Sequence, residues 1–194
     1  MEHQHLPSFP HLEPLIEELD RLSGTAFNTL MLEVFRRRAS QTQPGRLMRQ
    51  WTENRFVRPA QSNVMALKAL ELQWLQIAEA HAFEPVVLSP VAPLGVCSGV
   101  AAVHQNNVVS SLRGTEVVSD ATNVLALLAA DFFKNGSSPE THYATTHRHL
   151  RAQAFDNPAF SAHFSAFCML SAGKDTGSHM FEYEQLIRHI HINR

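Results

Sequence analysis

The chain has 194 residues and a mass of 21.7 kDa, which predicts one domain or one domain with a small appendage. Hydrophobic residues make up 44% and charged residues only 18%. This balance is typical of a folded protein and excludes an intrinsically disordered one. The formal net charge is -2, so no overall positive field would hold the isolated protein on a nucleic-acid backbone.

The two cysteines, Cys97 and Cys168, are too few for a disulfide framework, and we expect both to be small core residues in a reducing compartment. The segment Met1–Pro14 lacks the pattern of a secretory signal. The apolar run Val124–Ala130 ends at Asp131, far short of a membrane span. These features predict a cytoplasmic protein without a membrane partner.

The first third of the chain predicts helices, because apolar residues recur there at intervals of three and four. Two helices meet at Gly24, and a weaker helix follows Pro44. A longer helix is expected from Ala60 to Ala82. The run Arg36–Arg38 closes the second helix, where cations complement the helix dipole; an RNA-binding patch is the alternative.

Beyond Phe83 the pattern changes to short runs rich in β-branched residues. Val86–Leu88 predicts a strand. Val100–Gln105 and Val108–Arg113 predict a hairpin that turns at Asn106 and Asn107. Thr115–Ser119 predicts one further strand.

The last third of the chain predicts a helix, a second hairpin and a closing helix. Asp120 is placed as the N-cap of the helix, which Asn135 and Gly136 end. His142–Ala154 and Phe164–Leu170 predict the hairpin, and Met180–Ile192 the closing helix. The order of elements indicates an α+β domain with a mostly antiparallel sheet flanked by helices. We expect an N-terminal helical segment at 1–58 and the α+β core at 59–194.

Polar residues around the predicted central hairpin form one candidate site. Arg113 could clamp a carboxylate or phosphate in a planar geometry, and Glu116 could take an ammonium group. An ion pair between these two residues, with Asp120 only as a helix cap, is the alternative. The full set is Gln105, Arg113, Glu116, Asp120 and Asn123.

The second predicted hairpin offers another candidate site. Because side chains alternate along a strand, His147, His149, Arg151 and Gln153 would share one face, which would be polar and cationic. Such a face suits an anionic ligand lying across a sheet, whereas a solvated strand face is the alternative.

Histidine is abundant, with twelve in the chain, but local spacing supplies no third ligand to the His147 and His149 pair. We therefore predict no metal site. The sequence also lacks a Walker-type phosphate loop, a dinucleotide-binding glycine motif and a nucleophile elbow, which excludes those enzyme classes.

The order of these elements resembles the catalytic core of class II aminoacyl-tRNA synthetases. The long helix and the residues Phe83, Val86, Ser89 and Pro90 resemble the first signature of that family, which builds its dimer interface. The resemblance implies a homodimer through the Ala60–Pro90 region.

Two more segments extend the resemblance, which covers about Ala60 to Ile192. One resembles the amino-acid-binding strand and loop of histidyl-tRNA synthetases and their relatives, the regulatory subunits of ATP phosphoribosyltransferase; it comprises Leu112, Arg113, Thr115 and Glu116. The other resembles the second signature, a hairpin whose arginine holds the ATP α-phosphate and the acyl group; it comprises Leu150, Arg151, Ala152, Gln153, His163 and Phe164.

The sequence departs from the family pattern at several points. Gln153 stands where glutamate is usual, His163 where an acidic residue is usual, and Thr115 is an extra residue. We find no counterpart of the third signature, the glycine-rich segment whose arginine binds ATP. Adenylation needs several cationic groups around the phosphates together with magnesium.

We therefore expect a synthetase-like protein that binds an amino-acid-like or nucleotide ligand over the sheet, without complete aminoacylation chemistry. The resemblance implies ATP and magnesium as candidate cofactors. An active ATP-dependent ligase or aminoacyl transferase that needs a partner, and a non-catalytic dimeric regulatory or scaffold subunit, are the alternatives. The expected ligand-binding residues are Gln105, Arg113, Glu116, Arg151, Gln153 and Phe164.

Overall fold

A computed structural model describes residues 12–101, 103–136, 138–153 and 160–194. Helices fill the first part of the chain, and strands and helices alternate after it. A short 3-10 turn lies at Gln105–Asn107. In chain order the elements are α1 Glu13–Asp20, α2 Gly24–Ser40, α3 Pro44–Glu53, α4 Val64–Ala80, β1 Glu84–Pro85, β2 Val91–Pro93, α5 Val96–Val100, β3 Thr115–Val117, α6 Ala121–Asn135, β4 Glu140–Leu150, β5 His163–Gly173 and α7 Met180–Ile192.

The main sheet is built on a long hairpin. β4 and β5 are antiparallel over their full length, from Glu140 opposite Gly173 to Leu150 opposite His163. β1 joins the other edge of β4 in parallel, with Glu84 opposite Tyr143, so the strand order is β1-β4-β5. The α+β class is confirmed, and the sheet is mixed rather than purely antiparallel. β2 and β3 form a separate antiparallel pair.

Helices cover both faces of the β4–β5 hairpin. Because side chains alternate along each strand, Tyr143 and Cys168 point to the face that packs on Leu125 of α6. Ala144 points to the other face, where it packs with Ala78 of α4 and Ile192 of α7. Both cysteines are buried, as expected.

Helix α6 begins where the sequence predicts. The Asp120 carboxylate accepts a hydrogen bond from the backbone N–H of Thr122 at 3.0 Å, which satisfies one of the free donors of the first turn. Its apolar residues Leu125 and Ala129 then enter the core. None of the helices within the described ranges is long and apolar enough to cross a membrane.

The predicted central hairpin is wrong. Val100 ends α5, and Asn106 and Asn107 lie in the 3-10 turn instead of joining two strands. The single bridge recorded in that region pairs Ser110 with Glu116. A short apolar run does not by itself distinguish a strand from a buried helical turn, and here the helical turn forms.

Strand boundaries also differ from the predictions: β4 begins two residues earlier, at Glu140, and β5 extends from His163 to Gly173 rather than from Phe164 to Leu170. The first strand is Glu84–Pro85, just before the predicted Val86–Leu88. β3 ends at Val117, two residues before the predicted end at Ser119. β4 ends at Leu150, because the chain then turns away from β5: the Ala152 N–H donates to the Asn107 carbonyl at 3.0 Å. The predicted strand end at Ala154 lies outside the described residues.

The N-terminal helices contact the core sparingly. Helices α1, α2 and α3 contain no buried residue. One fixed contact is made by Asn28 of α2, whose side-chain oxygen accepts a hydrogen bond from the Arg113 N–H at 2.7 Å. The division at residue 58 remains a prediction.

Leu125 and Leu127 provide a matched test of the core around α6. Leu125 is fully buried, whereas Leu127 on the same helix is 38% exposed. We expect Leu125→Ala to lower the free energy of unfolding by about 2 to 5 kcal/mol, because it removes packed methyl groups and leaves a cavity. Leu127→Ala should cost about 1 kcal/mol or less. Urea unfolding measures both, and equal losses would contradict this packing.

Candidate functional site

A cavity of about 550 Å³ lies at the end of the β4–β5 hairpin where the two strands are connected. Arg148 and Arg151 reach it from β4 and the residues just after it. The opposite wall comes from the connection between α3 and α4 and from α4 itself. The complete lining is Ala60, Ser62, Leu67, Arg148, Arg151, Phe160, Ser161, His163, Phe164 and Ser165.

Arg151 is held from three sides at this cavity. Its Nε donates a hydrogen bond to the Ser119 carbonyl at 3.1 Å. Its guanidinium carbon lies 5.1 Å from the centre of the Phe164 ring, within the range of a cation–π contact. One terminal nitrogen lies 3.8 Å from an oxygen of Asp120, and the side chain is 40% exposed. Arg151 is therefore positioned while part of its guanidinium still faces the cavity.

The two histidines of the predicted cationic face lie beneath α6. His149 is 2% exposed, its ring packs edge-on against Phe164, and its Nε2 accepts a hydrogen bond from the Ala121 N–H. Burial lowers its pKa to about 4, although the nearby Asp120 carboxylate opposes the shift. Burial also lowers the pKa of His147. Both rings are mostly neutral at pH 7, so this part of the strand face is not cationic.

The connection between α3 and α4 is tied to the hairpin by two residues. The Arg55 guanidinium donates hydrogen bonds to the carbonyls of Ala152 and Gln153. His163 Nε2 donates to the Arg58 carbonyl at 2.6 Å, and its Nδ1 accepts from Arg148 Nε at 3.0 Å. Gln153 thus contributes its backbone to this connection, and its side chain is exposed.

Glu116 and Gln105 lie apart from the cavity, inside the protein. The fully buried Glu116 carboxylate accepts hydrogen bonds from Gln105 Nε2 at 2.8 Å, from the Gly95 N–H at 2.8 Å and from the Cys97 N–H at 3.0 Å. Burial raises its pKa, but these donors outweigh that effect and hold the pKa below its ordinary value. Glu116 therefore organises the start of α5.

Arg113 is directed elsewhere. It is exposed, its backbone has a positive φ of 66°, and it lines a different cavity of about 700 Å³ between α2 and β3. The structure does not bring Arg113 to the cavity that holds Arg151. It also does not form the alternative ion pair between Arg113 and Glu116, whose oxygens accept from other donors. Asn123 is buried in α6.

One group of three potential metal ligands occurs among the described residues. Ligand atoms of Asp120, His149 and Cys168 lie within 4.8 Å of one another. His149 Nε2 already accepts the Ala121 N–H, so its other nitrogen carries the proton of the neutral ring. Burial raises the pKa of the Cys168 thiol to about 11. A metal ion at this position would therefore have to free a ring nitrogen of His149 and displace the proton of the Cys168 thiol.

Sequence reasoning missed Arg148 and the wall from the α3–α4 connection. Alternation assigns Arg148 to the face opposite Arg151. At the end of the hairpin, however, the chain leaves the sheet after Leu150, and both guanidiniums reach the same cavity. The sequence signal that could have indicated Arg148 as a cavity residue is its position three residues before Arg151, close to the end of a strand.

Comparison with known structures identifies the fold. Two structures of the pyrrolysyl-tRNA synthetase of Desulfitobacterium hafniense superpose with TM-scores of 0.50 and 0.51 at 14% identity. They match 74% of this chain and 50% and 49% of theirs, so the chain spans about half the length of these proteins. The core therefore has a class II aminoacyl-tRNA synthetase-like fold.

Similarity to two further proteins is weaker. Histidyl-tRNA synthetase from Nostoc sp. PCC 7120 matches 64% of this chain and 30% of its own, at 19% identity and a TM-score of 0.46. An ATP phosphoribosyltransferase regulatory subunit/histidyl-tRNA synthetase from Bacillus halodurans C matches 59% and 30%, with the same identity and TM-score. No protein-family model and no curated protein matches the sequence.

The buried His149 predicts a loss of stability in mild acid. Its pKa is about 4 in the folded protein and about 6.5 in an unfolded chain, so its contribution is complete above pH 6.5 and is lost as the pH falls towards 4. Between pH 7 and pH 5 this residue alone should remove about 2 kcal/mol from the free energy of unfolding.

The comparison is with His149→Gln, which does not titrate and keeps an acceptor for the Ala121 N–H. Urea unfolding at several pH values should give a shallower pH dependence for this variant. Parallel pH profiles for the two proteins would contradict the prediction.

Proposed function

We propose that this chain, with its class II synthetase-like core, binds a nucleotide or an adenylate-like ligand in the cavity at the end of the β4–β5 hairpin, without complete aminoacylation chemistry. The observation that carries the proposal is that Arg151 and Phe164 line one cavity of about 550 Å³. A guanidinium suits a phosphate group, and an aromatic ring suits the flat face of a base.

The binding of an amino acid alone has less support. The residues expected to hold its ammonium and carboxylate groups, Glu116 and Arg113, lie outside this cavity. Glu116 is fully buried and accepts three hydrogen bonds from its own chain. A ligand in this cavity therefore meets a guanidinium and an aromatic ring rather than groups for a free amino acid.

ATP fits the described residues, whereas magnesium has no assigned ligand. Arg151 would hold the α-phosphate and Phe164 the base, and bound ATP would offer its α-phosphate for attack by a carboxylate, with pyrophosphate as the leaving group. Asp120 pairs with Arg151 and caps α6, so its oxygens are already engaged. This shortage of groups for the reaction is the reason we propose ligand binding rather than aminoacylation.

Calorimetry of the full chain with AMP, ATP, aminoacyl-adenylate analogues and amino acids tests this function. We expect AMP and ATP to bind, and Arg151→Gln to weaken both by about 10- to 100-fold, since it removes a charge-assisted hydrogen bond. Arg49→Gln, an exposed position on α3, is the matched control and should leave both affinities unchanged. Failure of all four ligand classes to bind would refute the proposal.

A dimeric role is the second candidate, because α4 and the segment after it expose apolar side chains. Met65 is 80% exposed, Leu72 is 57% exposed, and Val87 is fully exposed. We propose that the Ala60–Pro90 region pairs with a second copy, which would cover these side chains. Trp74 of the same helix is 37% exposed, but its ring centre also lies 5.5 Å from that of Phe167, so its substitution would disturb the interior as well as this surface.

The double variant Met65→Glu with Leu72→Glu tests the dimer. We expect light scattering to give about twice the mass of 21.7 kDa for the unmodified chain and a monomer mass for the variant. Leu186→Glu, at a position on α7 that is 61% exposed, is the control and should remain dimeric. A monomer mass for the unmodified chain at every concentration would exclude this role.

A further inference from the structure

The cavity between α2 and β3 combines a mostly apolar wall with one positive charge. Its volume is about 700 Å³, which is the size of a small-molecule site. Among the described residues that line it, Arg113 is the single charged one. The apolar part of the wall consists of Phe27, Met31, Leu32, Phe35, Val91 and Leu112.

The Arg113 guanidinium is not compensated by the protein. Within the described part of the chain it donates no hydrogen bond and pairs with no carboxylate, since the one hydrogen bond that Arg113 donates comes from its backbone. The side chain is exposed, and its five N–H donors form a planar fork that matches a carboxylate. An anion in this cavity therefore gains charge-assisted hydrogen bonds without breaking existing ones.

The backbone of Arg113 is held in place by its neighbours. Its N–H donates to the Asn28 side-chain oxygen at 2.7 Å, and its φ of 66° is one that residues other than glycine rarely adopt. The Ser111 N–H donates to the Thr115 carbonyl, and the Thr115 hydroxyl donates to the Leu112 carbonyl, both at 2.8 Å. A strained backbone held in this way is common at ligand-binding positions.

Helix α2 leaves apolar surface unburied at this cavity. Phe27, Met31 and Phe35 follow one another at intervals of four residues, so they share one face of the helix. No residue of α2 is buried, and Phe35 is 49% exposed. An alkyl chain in the cavity would remove this surface from water, which is favourable.

We propose that this cavity binds a monocarboxylate with a medium-length alkyl chain, its carboxylate on Arg113 and its chain against the apolar wall. The described lining contains no aspartate or glutamate for the ammonium group of an amino acid. It also contains no second cation for a phosphate dianion. This site is separate from the cavity at the end of the β4–β5 hairpin and does not depend on the proposed function.

Calorimetry of the full chain with decanoate tests the site. We expect decanoate to bind, and Arg113→Gln to weaken it by about 10- to 100-fold, because charge-assisted hydrogen bonds are lost. Octanoate, with two methylenes fewer, should bind about tenfold more weakly than decanoate. Arg49→Gln, an exposed position on α3, controls for the loss of one positive charge and should leave decanoate binding unchanged.

Three related compounds test the chemical class of the ligand. Decanol lacks the charge, 2-aminodecanoate adds an ammonium group, and decyl phosphate carries a larger charge. Each should bind more weakly than decanoate. Equal or tighter binding of any of the three would overturn the assignment to a monocarboxylate.

Two further variants separate direct binding from a structural effect of Arg113. Arg113→Lys keeps the charge and should recover part of the decanoate affinity. Asparagine tolerates a positive φ, so Arg113→Asn should keep the melting temperature while losing decanoate affinity. A lower melting temperature in Arg113→Asn, with no recovery in Arg113→Lys, would overturn a direct role.

Hydrogen exchange locates the ligand. Decanoate should slow exchange in α2 and leave the end of the β4–β5 hairpin unchanged. Slower exchange at the hairpin end instead, or no binding of decanoate to the unmodified chain, would refute this inference and leave the nucleotide proposal standing. If decanoate binds as expected and neither ATP nor AMP binds, the nucleotide proposal alone fails.

Discussion

The antiparallel pairing of β4 with β5 is the constraint on which the rest of this structure depends. Every residue of one strand has a partner on the other, which fixes the side of the sheet that each side chain occupies. A shift of β5 by one residue against β4 would move Cys168 away from the face that α6 covers and place Phe167 or Met169 there instead. Burial on both faces therefore selects one register.

The same register explains why the cavity forms where it does. Along the paired strands α6 packs on one face, and α4 with α7 packs on the other. At the connected end the ladder stops at Leu150 and His163, and the covering helices no longer close both sides. Within the sheet, the alternation of side chains would place Arg148 and Arg151 on opposite faces. Because the ladder ends at Leu150 and His163, both side chains reach the same cavity.

The sequence predicts those elements whose structure depends on neighbouring residues, and it fails where contacts between distant residues decide the structure. Asp120 as a cap, the periodic residues of α6 and the terminal helix Met180–Ile192 follow from local rules and are present as predicted. The segment from Val100 to Arg113 is decided instead by the buried Glu116, whose oxygens bind backbone groups at the start of α5. These hydrogen bonds join residues that are 19 and 21 positions apart, so no periodic pattern in the sequence reveals them.

The candidate site follows the same division. Arg151 and Phe164 were accessible to sequence reasoning, because a family resemblance marked both positions. Arg148 was not, because alternation assigns it to the other face of a strand that ends two residues later. The low pKa of His149 also depends on its cover by α6, which no local pattern of the strand reveals.

The hydrogen bonds of Arg55 and His163 join the α3–α4 connection to the β4–β5 hairpin, and both segments line the cavity. The Arg55 guanidinium donates hydrogen bonds to the carbonyls of Ala152 and Gln153, and the His163 ring donates one to the Arg58 carbonyl. A boundary drawn after residue 58 would cut between these anchors and Ala60, which lies in the cavity wall. A ligand bound in this cavity would therefore also favour docking of the segment that precedes α4.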